Sequence, residues 1–186
     1  MKEADNFNID SIILEQSNRK EEFLKLILEW TGHKKLKLLY RGTKDGINSK
    51  KLHDKCDNQG KTITLYRNDK GNIFGGYASI PWSSEGGTWK SAPDSFIFTL
   101  TNIYNYKPTK LPAKKQGMNY KEVYHNESYG PTFGNDLGLY SNNKGWALKF
   151  ETYEGLLGKT NSLFTGEENE EKDSLTVNEV EVFKLI

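Results

Sequence analysis

The chain has one cysteine, Cys56, so no intrachain disulfide is available and its stability must come from packing. A lone thiol fits a reducing compartment. There is no excess of either charge, with 26 basic and 25 acidic residues, and so none of the strong basic imbalance of a nucleic-acid binder. No apolar run approaches the roughly 18 residues of a membrane-spanning helix. The opening "MKEADNFNIDSIILEQSNRK" lacks the apolar stretch of a signal peptide. A cytoplasmic chain without membrane insertion is expected, with Asn126 of the Asn126-Glu127-Ser128 sequon unmodified. His33, His53 and His125 have no metal-ligand spacing to each other or to Cys56, so no metal is expected.

Aromatic residues are abundant: four Trp, ten Tyr and nine Phe supply core material for a chain only 35% apolar. At 186 residues one domain is expected. A helix is expected from Asn18, with Glu21 at capping-box spacing and Phe23, Leu24, Ile27 and Leu28 on one face, ending at Gly32. "KLKLLYR" reads as a strand and "GTKDGINS" as a turn around Asp45-Gly46. Ser49 is expected to cap a short helix over Lys50–Cys56. "KTITLYRN" and "NIFGGYAS" read as an antiparallel hairpin. Pro81–Asp94 reads as a long loop, "SFIFTLTN" as a strand buried on both faces, and Tyr104–Gly117 as irregular. Short strand-like pieces follow in "NYKEVYH", "GPTFG", "NDLGLYSN" and "GWALKFE", the last with Trp146, Leu148 and Phe150 on one side. "LTVNEVEVFKLI" closes the chain as a strand. Many short strands and two early helices predict a β-rich α+β domain, two antiparallel sheets packed as a sandwich and flanked by a few helices.

Few patterns point to chemistry. Gly75-Gly76 lacks the spacing and the following helix of a dinucleotide loop. "EGLLGKT" ends like a phosphate-binding loop, but its first glycine is misplaced. His53 and Cys56 are three residues apart on one helical turn, which could set imidazole beside thiol, yet nothing supplies an orienting third group. A buried structural cysteine beside a hydrogen-bonded histidine is the plainer reading. Glu179 and Glu181 share one face of the last strand, as a half-exposed sheet would give. Lys107–Lys121 is a basic segment and Glu167–Asp173 an acidic one; both read as solvated loops. The paired glycines suggest bare backbone against which Trp82, Trp89 or Phe133 packs. No catalytic residue, cofactor or small-molecule substrate is expected.

The ordered set "SIIL", "LLYRGTKDGINSKKLHDKCDNQGKTITLYRNDKGNIFGGYASIPW", "SFIFTL", "YGPTFGNDLGLY" and "VNEVEVFKLI" resembles a TLDc domain, from Ser11 to Ile186 after a lead-in of residues 1–10. Tyr40-Arg41, Asp45, Gly46, His53, Cys56-Asp57, Phe74, Gly75, Gly76, Tyr77, Trp82, Phe133, Gly134, Glu179 and Glu181 carry the resemblance. Leu52 stands where the family commonly has an aromatic, and Lys107–Lys115 match nothing in it. The resemblance implies a sandwich of two sheets and a non-enzymatic protein-binding role. It further implies protection from oxidative stress or regulation of the vacuolar proton-pumping ATPase. Two other roles stay open: a scaffold in a cytoskeletal or membrane-associated assembly, and a redox enzyme acting through Cys56.

Overall fold

A computed structural model describes residues 8–115 and 121–186. In chain order these form α1 (Ile12–Gln16), α2 (Lys20–Thr31), β1 (Leu36–Arg41), α3 (Gly42–Asp45), α4 (Ser49–Cys56), β2 (Thr62–Asn68), β3 (Ile73–Ala78), β4 (Gly86–Lys90) and β5 (Phe96–Thr99). Then come β6 (Thr109–Pro112), β7 (Val123–Asn126), β8 (Leu137–Leu139), β9 (Lys144–Ala147), α5 (Ser162–Thr165) and β10 (Ser174–Leu185). The fold is β-rich: one large antiparallel sheet in the order β6-β5-β3-β2-β10-β9-β8, with β1 also on β10, and a small sheet of β4 and β7.

The last strand is the centre of the large sheet. Its residues Val177–Lys184 pair with β2, Glu181–Leu185 with β1 on the other edge, and Ser174–Thr176 with β9. Two bulges set which side chains face which side. Asn178 is an extra residue between Val177 and Glu179, so the pleat changes parity there. Leu175 and Val177 before it then share a face with Val180 and Val182 after it, while Glu179, Glu181, Phe183 and Leu185 point the other way. A matching bulge between Leu38 and Tyr40 turns Tyr40 away from Leu36 and Leu38.

Both faces are covered. On one, Ile13, Leu14, Phe23, Leu24 and Ile27 of the first two helices pack on Ile63, Leu65, Phe96, Phe98 and Phe183. On the other, Tyr66, Phe74, Ile97, Val180 and Val182 share a core with Phe133, Leu137, Ala147 and Phe164. The ring of Phe74 stacks on Phe164 at 4.7 Å and on Tyr66 at 5.6 Å.

Several local expectations are corrected. The stretch from Asn18 is not a capped helix start: α1 already occupies Ile12–Gln16, capped by Ser11, and Asn18 takes a left-handed conformation (φ 58°) that breaks it from α2. Asparagine tolerates that conformation, and the capping-box spacing is fortuitous. Asn48, not Ser49, caps α4, its side chain accepting from the Lys51 amide. The turn at "GTKDGINS" contains one helical turn, α3. The loop over 81–94 carries β4, and the irregular stretch over 104–117 carries the edge strand β6. Such strands are hard to see when β4 is mostly Gly and polar residues and β6 ends in proline. "GPTFG" makes only single bridges through Phe133, to Val123 and Leu137. β9 stops at Ala147, so Trp146, Leu148 and Phe150 do not lie along one strand face; only Phe150 among them is fully buried. The strand expected from Asn119 begins outside the described residues.

The glycine pair sits in the middle of β3, paired with β2 and β5 on either side. A Cβ on Gly75 would fall 1.9 Å from the Thr64 carbonyl oxygen and 2.7 Å from the Phe98 ring. One on Gly76 would fall 2.5 Å from the Phe133 ring. Of the three expected packing partners, Phe133 fills this role; Phe98 takes the Gly75 side, and neither Trp82 nor Trp89 is among the nearest atoms at either glycine. Gly76→Val should therefore cost about 1–3 kcal/mol or more through overpacking, seen as a lower urea midpoint with the helical and aromatic signals falling together. A variant that melts like the parent but loses partner binding would instead place the pair on a binding surface.

Candidate functional site

Arg41, at the end of β1, lies directly across from Glu181 of β10. Its Nε donates to Glu181 Oε1 at 2.8 Å, and its Nη2 donates to Asp10 at the carboxylate (2.7 Å) and the carbonyl (2.8 Å). The Glu181 carboxylate, with no exposed surface, also accepts from Ser11 Oγ at 2.6 Å and from the Ile12 amide at 2.9 Å. Central strand, β1 and the start of α1 thus meet on one buried carboxylate. Glu179, equally buried, accepts from the amides of Thr43 and Val180, each at 3.0 Å, and from the Thr43 hydroxyl. The expectation of a half-exposed acidic face is overturned: the strand is central, and the bulge turns both glutamates under the helical layer.

Asp45 extends this cluster. It accepts from the Arg41 amide at 2.9 Å and from Lys55 Nζ at 2.8 Å. Burial pushes its carboxyl up, but the Lys55 ammonium and the Arg41 amide outweigh burial and hold it below the usual range. The Gly46 carbonyl accepts from the Tyr40 hydroxyl at 2.8 Å. Tyr40 itself is pushed up to about 12, chiefly by burial.

His53 forms a second centre. Its Nδ1 is 2.7 Å from Asp57 Oδ1, and its Nε2 is 3.0 Å from the Tyr129 carbonyl and 3.1 Å from that of Asn126. Asp57 also accepts from Ser84 Oγ at 2.5 Å. The imidazole therefore clamps α4 to the loop after β7 and has no nitrogen left over for a substrate. Cys56 is fully buried in the main core, and burial pushes its thiol well above the ordinary range. The two residues share a helical turn without forming a nucleophile–base pair. Beside the clamp lies a cleft of about 460 Å³ lined by Ser49, His53, Ser84, Ser128 and Ser141 with Lys50, Asp54 and Glu127.

The remaining sequence-singled residues are packed inward. Tyr77 lies 5.0 Å from Phe96. Trp82 meets Phe133 edge-on at 5.6 Å and donates from its indole to Thr62 Oγ1 at 2.9 Å. Gly134 donates from its amide to the Glu122 carbonyl at 2.8 Å and stands hard against Thr152. The structure thus brings Asp45, Gly46, Glu179 and Glu181 around β1 and β10, and His53 with Cys56 on α4. Phe74, Gly75, Gly76, Tyr77, Trp82 and Phe133 belong to the core. Three features escaped sequence reasoning. Buried Glu122 accepts from the Ala92 amide at 2.7 Å. Asp136 gathers the amides of Glu151, Thr152 and Tyr153, and burial raises its carboxyl to about 6 against those donors. A wider cleft of about 630 Å³ is lined by Trp89, Tyr124, Tyr129, Tyr140 and Trp146. The first two come from isolated acids in polar stretches; the spaced aromatics were legible only as core material.

Arg41→Ala should destabilise the chain by about 3–5 kcal/mol, because it leaves the Glu181 carboxylate buried without its cation; equilibrium urea unfolding measures this. Cys56 should react with an alkylating reagent only as fast as the chain unfolds. Mass-detected labelling that runs at the rate of a free thiol in native buffer would contradict its burial.

Comparison with curated proteins found no match. A model of the TLDc domain family matches residues 7–186, nearly the whole chain and spanning both centres described above. The chain belongs to the TLDc domain family.

Proposed function

We propose that this chain is a non-enzymatic protein-binding module of the TLDc type, serving oxidative-stress protection, regulation of the vacuolar proton-pumping ATPase, or both. The observation that carries this is the fate of the family's own polar residues. His53, Asp45, Glu179 and Glu181 are each consumed in hydrogen bonds that join one element to the next, His53 through the carbonyls of Asn126 and Tyr129. A residue set used up in holding the fold together supports a rigid docking body rather than a reaction centre. The buried state of Cys56 argues in the same direction, since protection against oxidants would then act through a partner and not through this thiol.

We read the layers on either side of the Tyr66–Phe74 core as the sandwich of this family, with β7, β8 and β9 as the second layer. Among the described residues no helix is long and apolar enough to cross a membrane. Any membrane association in this reading comes from the partner.

Affinity capture on the intact chain from a cell extract tests the reading. Vacuolar ATPase subunits should be recovered in stoichiometric yield, and Cys56→Ala should recover them equally. A different partner at that yield, with no ATPase subunits, would overturn the ATPase assignment. Turnover of peroxide by the purified chain, lost in Cys56→Ala, would overturn the non-enzymatic one.

A further inference from the structure

A row of partly exposed rings crosses the surface, and two of them, Tyr129 and Tyr140, are the end residues of the family-like stretch "YGPTFGNDLGLY". Trp89 of β4 lies 4.7 Å from Tyr124 of β7, ring centre to ring centre. Tyr124 is 6.2 Å from Tyr129, which is 5.5 Å from Trp146 of β9. Tyr140, 44% exposed, lies 4.9 Å from Trp146. Contiguous aromatic surface of this kind is uncommon on a soluble chain without a use.

The row is built, not left over. Trp146 pairs across the strands with Gly138 of β8, and a Cβ on Gly138 would come within 2.2 Å of the indole. The absent side chain lets the indole lie across the sheet. Its N–H is fixed by the Asn135 carbonyl at 3.1 Å. A tryptophan so seated is held in one orientation while remaining half exposed, which lowers the ordering cost of binding.

Ring orientation and charge narrow the occupant. Neighbouring rings are tilted by 40° to 75°, which makes slots and ridges rather than the flat platform suited to a sugar or a base. A polyproline II segment is itself ridged, arrives preordered, and leaves its carbonyls free for hydroxyl donors such as Tyr129 and Tyr140. Asp173 stands in the wall beside Trp146. It closes the acidic run in which Glu167 is paired with Lys70 and Glu170 is bonded to Thr160 and Ser162, so the uncommitted charge is on Glu168, Glu171 and Asp173. Of the cations at the row, Lys144 donates to Thr176 Oγ1 at 2.9 Å and Lys121 stands 5.9 Å over the Trp89 ring, so the peptide's cation is assigned to the Asp173 end.

We propose that this cleft binds an extended proline-rich peptide carrying an arginine or lysine at its Asp173 end. The inference rests on the protein-binding reading but on no particular partner.

The probe is a fluorescent oligoproline with one terminal arginine, titrated with the full chain and read by anisotropy. Saturable binding tighter than about 1 mM is expected. Tyr140→Ala should weaken it about tenfold or more. Asp173→Lys should weaken the arginine peptide and leave uncharged oligoproline unchanged. Peptide added to the isotope-labelled parent should move the Trp89 and Trp146 indole N–H signals, a readout that no variant's folding affects. The proposal is overturned by no saturation, by shifts confined to other residues, by indifference to Tyr140→Ala in a folded variant, or by displacement of the peptide with a soluble glucan oligosaccharide. A chain that captures the ATPase yet ignores the peptide loses only the cleft assignment. One that binds the peptide without capturing the ATPase loses only the ATPase assignment.

Discussion

The ion pair between Arg41 and Glu181 is the constraint around which this fold is arranged. A carboxylate with no solvent contact is costly unless its charge is met by a cation and its remaining lone pairs by donors. Here the guanidinium of Arg41, and the hydroxyl of Ser11 with the amide of Ile12, meet it from two parts of the chain far from Glu181 in sequence. Those donors can converge only if β1 pairs with β10 in the observed register and Ser11 caps α1. Any one-residue slip of β1 would carry Arg41 to the opposite face. The buried charge therefore specifies the register, whatever its net contribution to stability.

The bulge at Asn178 makes this possible. Without it, a strand whose Val177 faces the main core would send Glu179 and Glu181 into the same apolar layer, where no donors wait. With it, the two glutamates turn toward the helices, where the first amides of α1 and α3 are unpaired and available. The same change of parity carries Val180 and Val182 onto the core that also holds Phe133 and so reaches the bare backbone of Gly76. Sheet register, helix position and the close approach at the glycine pair are thus one linked solution.

Much of this was legible in the residues. The β2–β3 hairpin, the doubly buried β5, the end of α2 at Gly32 and the long closing strand follow from alternation and turn chemistry. What was not legible depends on long-range pairing. The burial of Glu179 and Glu181 could not be read from one strand, because alternation gives the same pattern for a solvated face and for a face sealed by a helix. Phe183 and Leu185, on the same parity as the glutamates, were the available hint: two large apolar side chains do not share a wholly exposed face. The short strands β4 and β6 are defined by their partners more than by their own residues. His53 was singled out with Cys56 by spacing, yet its actual partners, the carbonyls of Asn126 and Tyr129, lie far along the chain.

This has a consequence for what a family signature can say. The residues that identify the chain as a TLDc domain are, with few exceptions, inward: Phe74 through Tyr77, Trp82, Phe133, Glu179 and Glu181 are buried, and His53 faces a clamp. Residues that never touch solvent cannot discriminate between partners. They can only hold a surface in place. Specificity has to reside in side chains that reach outward, whether or not they belong to a signature stretch. Trp89, Tyr124, Tyr129, Tyr140 and Trp146 fit that description, since they stand on β4, β7, β9 and the connecting loops that the core merely supports. The buried signature residues fix the strands, and the aromatic row takes its position from the strands and loops that this core holds in place.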